Sequence, residues 1–155
     1  METQTGYIKA LQIMFKALLA GPLVLAAIAI LLYSQKGLTS LVDKRTGNVF
    51  MYVAIIITIS CVAMSYKLFS QKLEEAKQQS DLTEKLNGYR AAFITQLGLC
   101  EGPSLFAVIC YFLTGNVALL VILAFALLNF GRIYPTKQKI TQQLELDNQE
   151  ENMVD

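Results

Sequence analysis

Apolar residues in this chain fall into blocks rather than stripes: Ala17 to Tyr33, Val49 to Leu68 with only Lys67 interrupting, Ala91 to Leu113, and Val117 to Gly131. A helix needs about 20 apolar residues to cross a hydrocarbon core, and each block reaches or approaches that length. Inside a bilayer every backbone N–H and C=O must pair within the structure, and strands would show short alternating segments instead. The pattern therefore predicts an all-α polytopic membrane protein with four transmembrane helices. Polar stretches add detail. Gln71 to Gln79 is rich in helix formers and extends the second helix past the lipid. Ser80 and Asp81 then break it, and Asp81 with Glu84 resembles a capping box that starts the third helix ahead of the membrane. After Pro135, Thr136 to Leu146 predicts a short helix with Ile140 and Leu144 on one face. The acidic tail from Asp147 is expected to be disordered.

Composition agrees: of 155 residues, 54% are hydrophobic and only 16% charged, more apolar surface than a soluble domain of this length can hide. A net charge of +1 gives no electrostatic case for a nucleic-acid partner. Charge placement says more. Lys9, Lys16, Lys67, Lys72, Lys77, Lys85, Arg90, Arg132, Lys137 and Lys139 fall on one side of the four spans, and only Lys36, Lys44 and Arg45 on the other. By the positive-inside rule both termini and the central loop are cytoplasmic. Ala27-Ile28-Ala29 looks like a signal-peptide cleavage site, but the apolar run continues through Tyr33, which favours a retained span. Cys61, Cys100 and Cys110 all lie within spans and read as small apolar filler.

The chain also resembles itself. A shift of 81 positions sets Ala20-Gly21-Pro22-Leu23 beside Glu101-Gly102-Pro103-Ser104, and a shift of 68 sets Thr46-Gly47-Asn48-Val49 beside Thr114-Gly115-Asn116-Val117. This pattern predicts two parallel-repeat helical hairpins related by an axis along the membrane normal, with the first and third helices in equivalent positions. The expected layout is a cytoplasmic segment 1–16, a first hairpin with its extension 17–80, a second hairpin with a short helix 81–146, and the tail 147–155. Thr114-Gly115-Asn116 is expected to close the second hairpin as a tight turn, since Gly and Asn tolerate positive φ.

Glu101 is the residue most able to carry chemistry. Ten residues past Ala91 and twelve before Leu113, it is expected near the middle of the bilayer, where a charged carboxylate costs at least about 2.5–3.5 kcal/mol. It must be protonated, face water or meet a cation. Pro103 has no N–H for the Leu99 carbonyl, and Gly102 leaves backbone bare beside it, so Leu99 and Glu101 together offer oxygens to a proton, a cation or water. Gly21 and Pro22 loosen the first helix in the same way. Lys16, about one turn nearer the cytoplasm, is the expected partner of Glu101, and Gln96 is a candidate for the same interior face. Two readings stay open: a carboxylate that titrates during transport or gating, or a structural pair or neutral interhelical hydrogen bond. Gly98 and Gly102 form a small-xxx-small pair suited to close helix approach. With no histidine, no phosphate-binding glycine loop and no CxxC pair, the chain is not expected to be an enzyme or to hold a metal or other cofactor.

Through Glu101-Gly102-Pro103-Ser104-Leu105-Phe106 and Leu113-Thr114-Gly115-Asn116, the chain resembles a group of small uncharacterised bacterial four-helix integral membrane proteins. That resemblance implies the bacterial cytoplasmic membrane and no particular activity. A more distant similarity in architecture is to duplicated proteolipid c subunits of rotary ATPases. It implies a ring carrying protons or sodium with Glu101 as the ion site, although here the acid lies in the first helix of its hairpin and the helices are not glycine-rich. The functions expected are handling of protons, ions or a small solute, or a structural or assembly role in a membrane complex, with the lipid bilayer and a second copy or a membrane partner as the contacts.

Overall fold

Asp43 accepts hydrogen bonds from the N–H groups of Arg45 and Thr46, and so starts a helix at the place where the polar first loop gives way to apolar sequence. Asp81 does the same through Thr83 N–H, and Thr136 through Lys139 N–H. In the computed structural model, which describes residues 6–35, 40–147 and 150, these caps bound five helices: α1 Tyr7–Ser34, α2 Lys44–Lys77, α3 Leu82–Thr114, α4 Ala118–Arg132 and α5 Lys137–Leu144. No strand occurs among the described residues. Residues 1–5, 36–39, 148, 149 and 151–155, which include Lys36 and most of the acidic tail, lie outside the described residues.

Three helices, α1, α2 and α3, are long and apolar enough to cross a membrane. At 15 residues α4 is about 22 Å long, short of a hydrocarbon core of about 30 Å, and it reaches the required length only if counted together with α5, from which it is bent by 73°. The bend follows from sequence, since Pro135 cannot donate within a helix and Tyr134 before it is held out of the α region. α1 begins at Tyr7, ten residues before its apolar block, because Leu11 and Phe15 supply an amphipathic face that buries while Lys9 and Lys16 stay exposed.

α3 is central. α2 and α3 form the largest interface in the molecule, and α1 and α4 also pack on α3. Residues 78–81 join α2 to α3 so tightly that the two must run antiparallel side by side. The longer connection 35–43 leaves α1 free to settle elsewhere. As a result α1 and α2 do not form a packed pair, and α1 lies at the edge while α3 lies in the middle, which differs from the equivalent placement expected of a repeat. α1 and α3 run in the same direction in close register. The Tyr7 hydroxyl donates to the Leu86 carbonyl, and at the other end the Tyr33 hydroxyl donates to the Phe112 carbonyl at 2.9 Å.

The core changes character along the bundle. At the basal end, defined by the start of α1, the α2–α3 turn and α5, it is built from large side chains: Phe15, Phe69, Tyr89, Phe93, Phe130 and Ile140. Toward the apical end smaller residues dominate, Ala26, Ala29, Ala54, Ala107 and Cys110, together with Val108, Tyr111, Leu119 and Leu123. Large buried apolar groups stabilise a structure in water, whereas close approach over small residues is how helices associate in lipid. Outside the apical core an exposed belt includes Leu23, Ile28, Val49, Ile56, Ile59, Ile109, Val121, Phe125 and Leu128. Exposed apolar side chains clustered in this way mark a surface suited to lipid or to another protein.

Two turns decide the ends. Gly115 sits at φ 65° as the cap of α3, its N–H donating to the Tyr111 carbonyl at 2.8 Å, as Thr114-Gly115-Asn116 foretold. Glu145, at φ 53°, occupies the same left-handed region after α5, where a side chain is disfavoured. Its carboxylate meets Lys77 Nζ at 2.6 Å, and Glu150 meets Lys85 Nζ at 2.7 Å, so the segment after α5 is tied to the α2–α3 hairpin. Ile140 and Leu144 face inward as the sequence implies.

Candidate functional site

The α1–α3 register brings Glu101 against Gly21. A methyl group on Gly21 would stand 3.7 Å from Glu101 Oε1, so the carboxyl group lies along the bare backbone of α1. Pro22, next in α1, is buried, and Pro103 in α3 is buried too, yet α3 passes through Pro103 as one unbroken helix. The Ser104 hydroxyl donates to the Cys100 carbonyl at 3.0 Å, satisfying an acceptor beside the Leu99 carbonyl, which Pro103 leaves without its helical donor. Gly102 points outward into open space. Glu101 itself is half-buried and has no hydrogen-bond or ion-pair partner among the described residues.

The expected partnership with Lys16 is not formed. Lys16 is exposed, and although it is near the right level it lies five residues from Gly21, about 140° around α1 at 100° per residue. Its ammonium group therefore leaves the helix on the side away from Glu101. The same spacing separates Gln96 from Glu101 on α3, and Gln96, only 4% exposed, turns into the bundle rather than toward the acid. Of the residues expected to act together, Glu101 meets Gly21, next to Pro22, across α1 and α3, with Gly102 and Pro103 following the acid in α3; Leu99, about 160° from the acid around α3, does not join them, nor do Lys16 and Gln96. Gly21 lies five residues beyond Lys16, roughly 7.5 Å along α1, while on α3 Glu101 stands near the middle of the apolar block Ala91 to Leu113.

A second polar group, hardly visible in the sequence, lies between α2 and α3. Ser65 is fully buried, bonds back to the Val62 carbonyl at 2.7 Å, and receives the Cys100 thiol at 3.7 Å. Gly47 packs on Thr114 at the other end of this interface, and the register between these contacts sets Thr58 level with Ser104 and Ala107. Thr58 is 2% exposed, and its hydroxyl is the one fully buried side-chain polar atom without a partner among the described residues. It thus differs from Ser65, which bonds back to its own helix. Heptad-like spacing of Thr58, Cys61 and Ser65 was the available signal for a buried face. Asn129 and Thr95 do bond back to their own helices, through the Phe125 and Ala91 carbonyls.

These features define a helical protein with three helices of membrane-spanning length and apolarity, or four with the bent pair, and an unpaired acid between two of them. No protein-family model, curated protein or solved structure matches the chain.

Proposed function

We propose that this chain is a four-span membrane protein of the bacterial cytoplasmic membrane, with both termini cytoplasmic, in which Glu101 takes up and releases a proton or small cation as part of ion or solute handling. The observation that carries the reading is the half-buried, unpartnered carboxyl of Glu101 at Gly21. At such a depth an isolated carboxylate costs at least about 2.5–3.5 kcal/mol, so the group persists by holding a proton or by meeting a cation from outside the chain. Both states are chemically available because no lysine or arginine among the described residues pins it in one form. Gly21 leaves room beside the carboxyl. In proteoliposomes loaded with a pH-sensitive dye, wild-type protein is expected to conduct protons or sodium or to respond to a pH step. Glu101→Gln is expected to abolish the response and Glu101→Asp to retain part of it. An unaltered response in Glu101→Gln refutes the role.

A second reading, an assembly component of a membrane complex, has its own support. The basal extension of α2 and α3 holds an open groove of about 350 Å³ lined by Lys72, Glu75, Gln79, Glu84 and Asn87. Side chains of both charges there suit a polar partner helix. Copurifying partners should be lost on charge reversal at Glu75 and Glu84, and their retention removes this reading.

A further inference from the structure

Two faces of the bundle lie open at the depth of Glu101. On α3, Ala91, Gly98, Gly102 and Ile109 fall within about 40° of one another at 100° per residue, and all four are exposed. Nothing lies within 4 Å of a methyl group added at Gly98 or Gly102, so none of the described residues covers this face. Glu101 stands about 60° around α3 from Gly98, on the edge that meets α1. On α1, Lys16 shares its side with Ile13, Ala20, Ala27 and Leu31, all within about 60° of it and all exposed. We propose that a second copy of the chain seats this side of its α1 on the open face of α3, so that the Lys16 ammonium of one copy pairs with the Glu101 carboxylate of the next.

Charge and depth select this occupant. Copies inserted alike in one membrane hold each residue at a common depth, so the carboxyl of one copy stands level with Gly21 of the next. Lys16 lies about 7.5 Å basal of that level. A glutamate on α3 leans toward the helix N-terminus, which is the basal end, and the lysine stem spans the remainder. Within one chain the two do not meet, because Lys16 leaves α1 about 140° around the helix from Gly21, and neither forms an ion pair among the described residues. Tyr7 and Ser34, the ends of α1, are each about 20 Å along the helix from Gly21, and Lys16 stands about 14 Å above Tyr7, so the pair sits well inside the helix. A second match lies below the first. Lys9 returns to the face of Lys16 seven residues earlier, and the bond from Tyr7 to Leu86 sets its level near Gly88. There the open face of α3 runs into the groove of about 350 Å³ where Glu75 and Glu84 lie, with Lys72 the one cation among its lining residues. Ala20 and Ala27 against Gly98 and Gly102 let the two helix axes approach closely, which is how helices associate in lipid. Because one face supplies the lysine and a different face the carboxylate, the contact is head-to-tail and repeats from copy to copy, as in a ring.

This inference rests on the membrane reading but not on transport by Glu101. Full-length protein, labelled in separate batches with donor and acceptor dyes on an N-terminal tag and reconstituted into phosphatidylcholine vesicles, tests it by energy transfer as added lipid dilutes the protein. Wild type is expected to associate. Lys16→Gln and Glu101→Gln should each weaken association at least about tenfold, since each leaves one charge without its partner. A mixture of the two variants should associate to within about twofold of wild type, because one of the two contact orientations keeps both charges. That recovery also shows that both variants fold. Gly98→Leu should obstruct the open face and weaken association, while Lys67→Gln, exposed on α2, changes nothing. Undiminished association in either single variant, or a mixture no tighter than its components, overturns the proposal. Wild type held in the vesicles but monomeric at every dilution means that lipid covers the face, and overturns this inference alone. A chain that stays dispersed without detergent overturns the membrane reading as well.

Discussion

Replacing Gly88 by alanine tests the α2–α3 packing most directly. A methyl group there would stand 2.7 Å from the Ala76 methyl and 3.2 Å from the Ala76 backbone. Carbon atoms rest at about 3.5–4.0 Å, so the two helices must separate by roughly 1 Å at this crossing. Overpacking of that kind costs about 1–3 kcal/mol. Against it stands the helix propensity of alanine over glycine, worth about 1 kcal/mol. The net expectation is a loss of about 0–2 kcal/mol. Gly98→Ala isolates the second contribution, since nothing lies within 4 Å of the added methyl, and should gain about 1 kcal/mol. The difference between the two variants is thus the packing cost alone, about 1–3 kcal/mol, or roughly 2–12 °C in melting temperature for a chain of this size. Far-ultraviolet circular dichroism of detergent-solubilised protein during heating measures it. Adding Ala76→Gly to Gly88→Ala should recover part of the loss, because the methyl–methyl clash disappears and only the approach to the residue 76 backbone at 3.2 Å is left. If Gly88→Ala melts at or above Gly98→Ala, the close crossing of α2 and α3 is wrong.

Three further expectations follow from single residues. Gly115→Ala should lower thermal stability by at least about 1–2 kcal/mol, from a left-handed backbone at φ 65° and a methyl 2.8 Å from the Tyr33 ring; unchanged melting would remove the turn from the reading. Thr58→Val should be neutral or stabilising, by up to about 1 kcal/mol, since it removes an unpartnered buried hydroxyl at nearly constant shape; a marked loss would mean that the hydroxyl has a partner. The Lys77–Glu145 tie should hold α5 in place only within a pH window. The Lys77 ammonium lowers the Glu145 pKa from 4.5, so that contribution is present above 4.5 and lost as pH falls through the lowered value. Glu145 and Glu74 raise the Lys77 pKa from 10.5, so its contribution is full below 10.5 and lost as pH rises through the raised value. A nitroxide at Gln142 should gain mobility at both extremes, and constant mobility across the range would show that other contacts hold the helix.

Much of the fold was legible because hydropathy and capping act locally. The apolar blocks, the break at Ser80 and Asp81, the turn at Gly115 and the inward face of α5 all follow from residues near one another in sequence. The start of α1 was not, because from Tyr7 to Lys16 the helix is amphipathic and an apolar block does not register it. The error at Lys16 has a geometric origin: matching levels along two helices says nothing about azimuth, and the five residues between Lys16 and Gly21 turn the lysine away. The failure of α1 to pair with α2 is a tertiary choice made by α3, which no local pattern encodes. Tyr7 and Tyr33 were overlooked for the same reason, since their value lies in carbonyls 79 residues away.

Those two tyrosines constrain how the acid can be reached. They pin α1 to α3 above and below Gly21, so the helix has no freedom to slide or to turn about its own axis without releasing one hydroxyl. Any opening beside Glu101 must instead bow α1 outward between two fixed points, and Pro22, which leaves the Leu18 carbonyl without its helical donor, is where such a flexure is softest. Access to the carboxyl is in this sense a property of the stiffness of α1.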